Sequence, residues 1–138
     1  MKTVNIKGKE YVEVKERVKY FRDNYENGSI HTSLLNDDGE KCTFKAEVYL
    51  DDKCVATGHA YEVMGSSFIN KTSYIENCET SAVGRALAVF GIGIDVSMAS
   101  ASEVRNAQEQ QGKKGSNTSV KGNGTLNRNK NSKVKIGG

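Results

Sequence analysis

The chain has little of what catalysis or metal binding requires. Its 138 residues include no proline, no tryptophan, three cysteines and two histidines. Cys42, Cys54 and Cys78 are odd in number and far apart, with no CxxC or metal-ligand spacing, so reduced thiols in a cytosolic protein are expected. All three fall on predicted core faces, where thiols are inert. His31 and His59 lie on predicted strands with no HExxH or HxH around them, which reads as surface imidazole rather than metal ligand. There is no Walker A sequence. The run Gly91-Ile92-Gly93-Ile94 follows a helix instead of opening one, so it is no phosphate cradle. Glu76 and Glu79 are helix neighbours, better read as a solvated acid and an interface acid than as a catalytic pair. The opening residues MKTVNIKGKEY hold no apolar run, and neither a signal peptide nor a membrane span is predicted. The expectation is a binding protein: not an enzyme, without cofactor or metal.

Acidic residues are also missing from one region. From Gly112 onward there is no Asp or Glu and almost no large apolar residue. Seven of the 20 basic residues lie there, namely Lys113, Lys114, Lys121, Arg128, Lys130, Lys133 and Lys135, which leaves 13 basic against 17 acidic before it. Such a segment cannot bury enough apolar surface to offset its ordering entropy, so residues 112–138 are predicted to be a disordered basic tail suited to a polyanion. Residues 1–111 are the predicted folded domain.

Within that domain the hydrophobic periodicity changes several times. Val4 to Val12 alternates and reads as one short strand containing Gly8. Val14, Val18, Phe21 and Tyr25 recur at helical spacing, and Asn27-Gly28 ends that helix. Ile30 to Leu35 reads as a strand closed by Asn36-Asp37-Asp38-Gly39. Strict alternation follows: Cys42, Phe44, Ala46, Val48 and Leu50 on one face, Lys41, Thr43, Lys45, Glu47 and Tyr49 on the other. After Asp51-Asp52, the stretch from Lys53 to Met64 puts Cys54, Ala56, Gly58 and Ala60 on a small-residue face that lets a helix approach closely. A long helix is predicted from about Ser73 to Phe90. It has an apolar face of Ile75, Cys78, Ala82, Ala86, Val89 and Phe90, a small face of Thr80, Ser81, Gly84 and Ala88, and Gly91 as its C-cap. Ser100 or Ser102 is placed to cap a short helix beyond it. The fold class is α+β: a three-stranded antiparallel meander and an N-terminal strand, packed by a long helix. The small helix face and the edge strands read as surfaces for assembly into a large oligomer.

The segments GHAYEVMGSSFINKTS and YIENCETSAVGRALAVFGIGID carry a resemblance. Gly58-His59-Ala60 and Gly84-Arg85-Ala86-Leu87-Ala88-Val89-Phe90-Gly91 resemble the strand step and helix end of small phage single-strand annealing proteins, the Sak group and distant relatives of the eukaryotic annealing recombinase Rad-fifty-two. Tyr11 to Val18 is similar to that family's strand-to-helix junction, and the resemblance spans Lys9 to about Asp95. It implies a β-β-β-α core that binds single-stranded DNA without a nucleotide cofactor and anneals complementary strands in recombination. It also implies a ring or filament of identical subunits in the cytoplasm of a bacterial host, with a phage exonuclease or a host single-stranded DNA-binding protein as partner and no membrane. Arg17 and Arg85 match arginines that line the family's inner DNA site. Gly84 and Ala88 stand where further cations are often found. Both arginines sit at the border of an apolar helix stripe, which would fix their planar guanidinium groups at the rim. Lys71, Lys15, Lys41 and Lys45 complete the expected DNA-binding set, and Tyr49, Tyr61, Phe68 and Tyr74 are rings able to stack on bases. Two other readings are a non-annealing single-stranded DNA-binding protein on an OB barrel and a structural or regulatory phage oligomer. The OB barrel wants five strands, and this chain offers three good ones before its long helix.

The basic tail generates the first prediction. Deleting the chain from Gly112 should leave the domain melting as before, weaken oligonucleotide binding and flatten its salt dependence, since phosphate contacts release counterions. An unchanged affinity and salt slope in a fluorescence titration would remove the tail from the site.

Overall fold

A computed structural model describes residues 1–109 of the chain. The tail predicted over 112–138 lies outside the described residues. Met1–Asn106 form one compact unit; a second, Ala107–Gly138, has only its first three residues described, and these are helical.

The N-terminal stretch is a hairpin, not the single strand its alternation predicts. β1 (Val4–Ile6) pairs antiparallel with β2 (Lys9–Tyr11). Lys7 and Gly8 both take positive φ, at 50° and 86°, and Asn5 Oδ1 accepts the Gly8 N–H at 3.0 Å. Two consecutive positive φ values make a tight two-residue turn. α1 (Val14–Asn24) follows, then β3 (Gly28–Asp37), β4 (Lys41–Leu50), β5 (Lys53–Val63) and α2 (Asn70–Phe90). The last three strands form a separate antiparallel sheet in the order β3-β4-β5. The expected α+β meander with its packing helix is therefore present. No helix among the described residues is long and apolar enough to cross a membrane.

The alternation of β4 is realised residue by residue. Cys42, Phe44, Ala46 and Val48 are buried, and the residues between them are half-buried. On β5 the small face is split by a bulge. Val48 pairs with Ala56 but Tyr49 pairs with Cys54, so Val55 is an extra residue. One extra residue reverses the facing of everything beyond it. Cys54 consequently shares the outer face with Tyr49 and is exposed, contrary to its predicted core position. β3 carries a similar irregularity between Leu34 and Asn36.

α2 lies on the inner face of the sheet, against β4 and β5. Close approach is obligatory at Gly58: a Cβ there would run into the Ala86 amide and stand 2.9 Å from the Ala82 carbonyl oxygen. Cys78, Ala82, Ala86 and Leu87 complete the core with the inward residues of β4. Phe21, Tyr25 and Phe90 form an aromatic cluster at one end, with centroids 5.1 to 5.9 Å apart. Val89, predicted on the apolar face, is 52% exposed.

Two expectations about α2 change. The helix begins at Asn70, and Ser73, its predicted start, is a kink with φ −140° and ψ 38°. The buried Asn70 ties the preceding loop down: its Nδ2 donates to Glu62 Oε1 at 2.7 Å and to Ser66 Oγ at 3.0 Å, and its Oδ1 accepts from Asn77 Nδ2 at 3.0 Å. Burial pushes the Glu62 carboxyl above its usual range, against the Asn70 hydrogen bond that lowers it. Most of the small face is packed within the chain, with Thr80 alone of its four residues exposed. Ser81, Gly84 and Ala88 are buried, and a Cβ on Gly84 would stand 2.6 Å from Val14 Cγ2 of α1. Small residues let α1 approach instead.

Gly58→Ala should cost about 3 kcal/mol or more, because the added methyl meets helix backbone rather than a movable side chain. Urea denaturation measures this directly. A variant as stable as the parent would mean that α2 is not seated on β5 in this way.

Candidate functional site

The two faces of the β3-β4-β5 sheet differ. The inner face is covered by α2. The outer face carries Lys41, Thr43, Lys45, Glu47 and Tyr49 from β4, flanked in register by Ser29, His31 and Ser33 of β3 and by Thr57, His59 and Tyr61 of β5. His31, Thr57, His59, Tyr61 and Lys41 are exposed, and the other β4 side chains are half-buried. His31 and Tyr49 rings lie 4.9 Å apart at a tilt of 54°, and Ser29 Oγ is 3.2 Å from His31 Nε2. Lys45 Nζ is 3.5 Å from Glu47 Oε2. This is an open strip of rings, hydroxyls and amines.

The expected site residues do not converge on one place. Lys41 and Lys45 share the outer face. Lys15 is on α1, 3.9 Å from Glu13 Oε1, and Lys71 is exposed in the first turn of α2, so both belong to helices of the inner layer. Of the four rings named from sequence, Tyr49 and Tyr61 are on the strip. Phe68 is exposed in the β5–α2 loop, and Tyr74 donates its hydroxyl to Asp37 Oδ1 at 2.7 Å, which pushes its pKa up to about 12.

Arg17 departs from the rim position expected of both arginines, whereas Arg85 stays partly exposed. Arg17 is fully buried. Its Nε donates to the Ile92 carbonyl at 2.9 Å and its Nη2 to the Ser97 carbonyl, while Nη1 finds no hydrogen-bond partner among the described residues. Burial draws its pKa below the usual guanidinium value, with the charge of Glu103 acting the other way. Its rim placement is thus corrected: the side chain threads inward from α1 and grips the segment that follows α2. Arg85 Nη2 is 3.3 Å from Glu103 Oε2, with 43% of its side chain exposed. Glu79, read from sequence as an interface acid, accepts a hydrogen bond from Thr32 Oγ1 at 2.6 Å.

Glu103 was missed, although the signal was in the sequence. Ser100-Ala101-Ser102-Glu103 is a capping box: Ser100 Oγ accepts the Glu103 N–H at 3.2 Å and Glu103 Oε1 accepts the Ser100 N–H at 3.1 Å. The segment is held further by a parallel bridge between Val12 and Ser100 and by Ala101 N donating to the Val12 carbonyl at 3.2 Å. His31 and His59 were likewise passed over as site residues. Cross-strand register is what sets them beside Tyr49 and Lys45, and it cannot be read from either strand alone. The thiols divide by environment: burial pushes Cys78 up to about 12 and raises Cys42, whereas Cys54 is exposed.

Arg17→Ala should destabilise the chain by about 3 kcal/mol, since two buried carbonyls lose their donor. Arg85→Ala should cost less than about 1 kcal/mol, as expected of a part-exposed ion pair. Parallel thermal and urea melts check both. An Arg17→Ala chain of unchanged stability would show that the guanidinium is not a structural clasp.

A family model described as Slr1353 N-terminal dsRNA-binding domain-like matches residues 18–90, from within α1 to the end of α2. The chain matches none of the curated proteins and none of the solved structures compared with it.

Proposed function

The chain belongs to the Slr1353 N-terminal dsRNA-binding domain-like family, and from that premise we propose that it binds nucleic acid and anneals complementary single strands of DNA without ATP. The observation that carries the nucleic-acid part of this reading is the match itself, which runs from within α1 through β3, β4 and β5 to the end of α2. The open outer face of the sheet, with Lys41 and Lys45, supports it.

A duplex is the second reading, favoured by the family's description. Duplex RNA is recognised by shape and by phosphate and 2′-hydroxyl contacts, which need cations on helices and loop tips. Here the β3–β4 turn carries Asp37, Asp38 and Glu40, and Asp38 is engaged by the backbone N–H groups of Glu40 and Lys41, both at 2.9 Å. On α1, Lys19 is bound to Asp23 at 2.7 Å and Lys15 faces Glu13. These charge-balanced surfaces favour a single strand on the sheet over a duplex on the helices. The sheet is a three-stranded meander backed by α2, which also weighs against the OB-barrel alternative.

Annealing requires that repeated subunits hold the strand extended with its bases accessible. Assembly into a ring or filament belongs to the proposal, as do a nuclease that exposes the single strands, a host single-stranded DNA-binding protein, and action in phage recombination in the bacterial cytoplasm. The small helix face gives assembly little support, because Ser81, Gly84 and Ala88 are buried and Gly84 packs on Val14 of α1. The β3 edge does support it: Leu34 and Leu35 are 49% and 54% exposed beside unpaired strand backbone.

The test mixes complementary fluorescent oligonucleotides without ATP, with and without the protein, beside light scattering for particle mass. Faster pairing together with particles larger than a monomer is the expected result. Binding to duplex RNA with no effect on pairing would replace annealing by the second reading.

A further inference from the structure

We propose that the outer face of the β3-β4-β5 sheet is a stacking track for the bases of a single strand, with Tyr49 and Tyr61 as its platforms and Lys45 as the phosphate contact between them. The inference rests on the nucleic-acid reading above and names the site and the form of nucleic acid it takes.

Register sets the track. Tyr61 stands opposite Thr43, and Thr43 is six residues from Tyr49 along β4, about 20 Å at the rise of an extended strand. Each platform has a second ring beside it. His31 packs against Tyr49, and His59 shares the outer face with Tyr61, two residues away. Lys45 lies between the two pairs, directly opposite His59, and Lys41 lies past Tyr61 toward the end of the sheet. A diagonal path across three strands therefore meets a ring pair, an amine, a second ring pair and a second amine. That alternation matches a chain of bases and phosphates.

The same strip disfavours other occupants. Its middle is Ser33, Thr43 and Thr57, and its apolar members, Cys54 opposite Tyr49 and Val63 opposite Lys41, stand at opposite ends, so it has no contiguous apolar centre of the kind that a protein partner buries. Two copies packed face to face would desolvate Lys45 and Glu47 of both, four charges in all. A duplex keeps its base faces stacked internally and offers the rings nothing to stack on. An unpaired strand offers both phosphates and π-faces. Glu47 is the one carboxylate among these outer-face positions, and it already holds Lys45. A phosphate must displace it, so Glu47 lowers affinity without deciding what binds.

The experiment uses the full chain and two probes, a short oligothymidylate and an abasic strand with the same number of phosphates, titrated by anisotropy at fixed salt. Oligothymidylate should bind at least about tenfold more tightly than the abasic strand, the lower end of what stacked bases contribute. Tyr49→Ala and Tyr61→Ala should each lose about tenfold toward oligothymidylate and little toward the abasic strand. Tyr49→Phe and Tyr61→Phe should keep the parent affinity, which separates stacking from misfolding. Glu47→Gln should tighten both probes. Because the chain has no tryptophan, its tyrosine emission reports the contact directly and should be quenched by oligothymidylate alone. Equal affinity for the two probes, or Tyr→Ala variants that bind like the parent, would overturn the track while leaving nucleic-acid binding intact. No binding of either probe or of duplex RNA would overturn both.

Discussion

Everything in this fold is referred to the contact between the α2 backbone and Gly58. A helix normally stands off a sheet by the depth of its side chains. Here the strand gives up its side chain at the crossing point, and the helix offers Ala82 and Ala86 to meet it. The close seat fixes the height of α2, and that height decides how α1 must pack. Gly84 on the far side of α2 repeats the device toward Val14. Two glycines on different elements thus bring α2 close to both the sheet and the start of α1, and both helices pack on one side of the sheet.

That one-sidedness separates the roles of the cations. Arginines on the helical side are drawn into holding the chain together. Arg17 has no water to return to, so its hydrogen bonds to Ile92 and Ser97 resist exchange for an outside anion. Arg85 is more open, but Glu103 is anchored by its own capping box, so the pair is pre-organised. Lysines on the open side have weaker partners. Lys45 and Glu47 sit on one strand, two residues apart, in a half-exposed setting where such a pair is worth little and yields readily to a competing phosphate. Cations held inside build the domain, and cations left on the sheet remain available to a ligand.

Sequence reading succeeds where one element carries its own period. The alternation from Lys41 to Leu50, the span of α1 and the Gly91 cap are all local and agree with the structure. It fails where two segments must be set against each other. The Lys7-Gly8 turn lacks the usual Asn-Gly or Asp-Gly signal, so the hairpin passes for one strand. The bulge at Val55 is a property of pairing, which is why Cys54 is assigned the wrong face. The small stripe on α2 is correctly seen as a close-approach surface, yet nothing in the stripe says whether α1 or another molecule fills it. Arg17 and Arg85 are marked by their border positions, but their tie to the segment after α2 depends on a chain reversal some eighty residues from Arg17. The candidate strip is half legible: Lys41, Lys45, Tyr49 and Tyr61 can be named in advance, and His31 and His59 join them through register.

The Val55 bulge has one more consequence. By turning Cys54 outward it puts a soft nucleophile on the same surface as Tyr49, while the other two thiols stay sealed in the core with their protons held tightly. The natural chain therefore already contains an attachment point for a spectroscopic probe at the edge of that surface. A nitroxide or dye placed there would sense the approach of any molecule to the sheet without a single engineered residue.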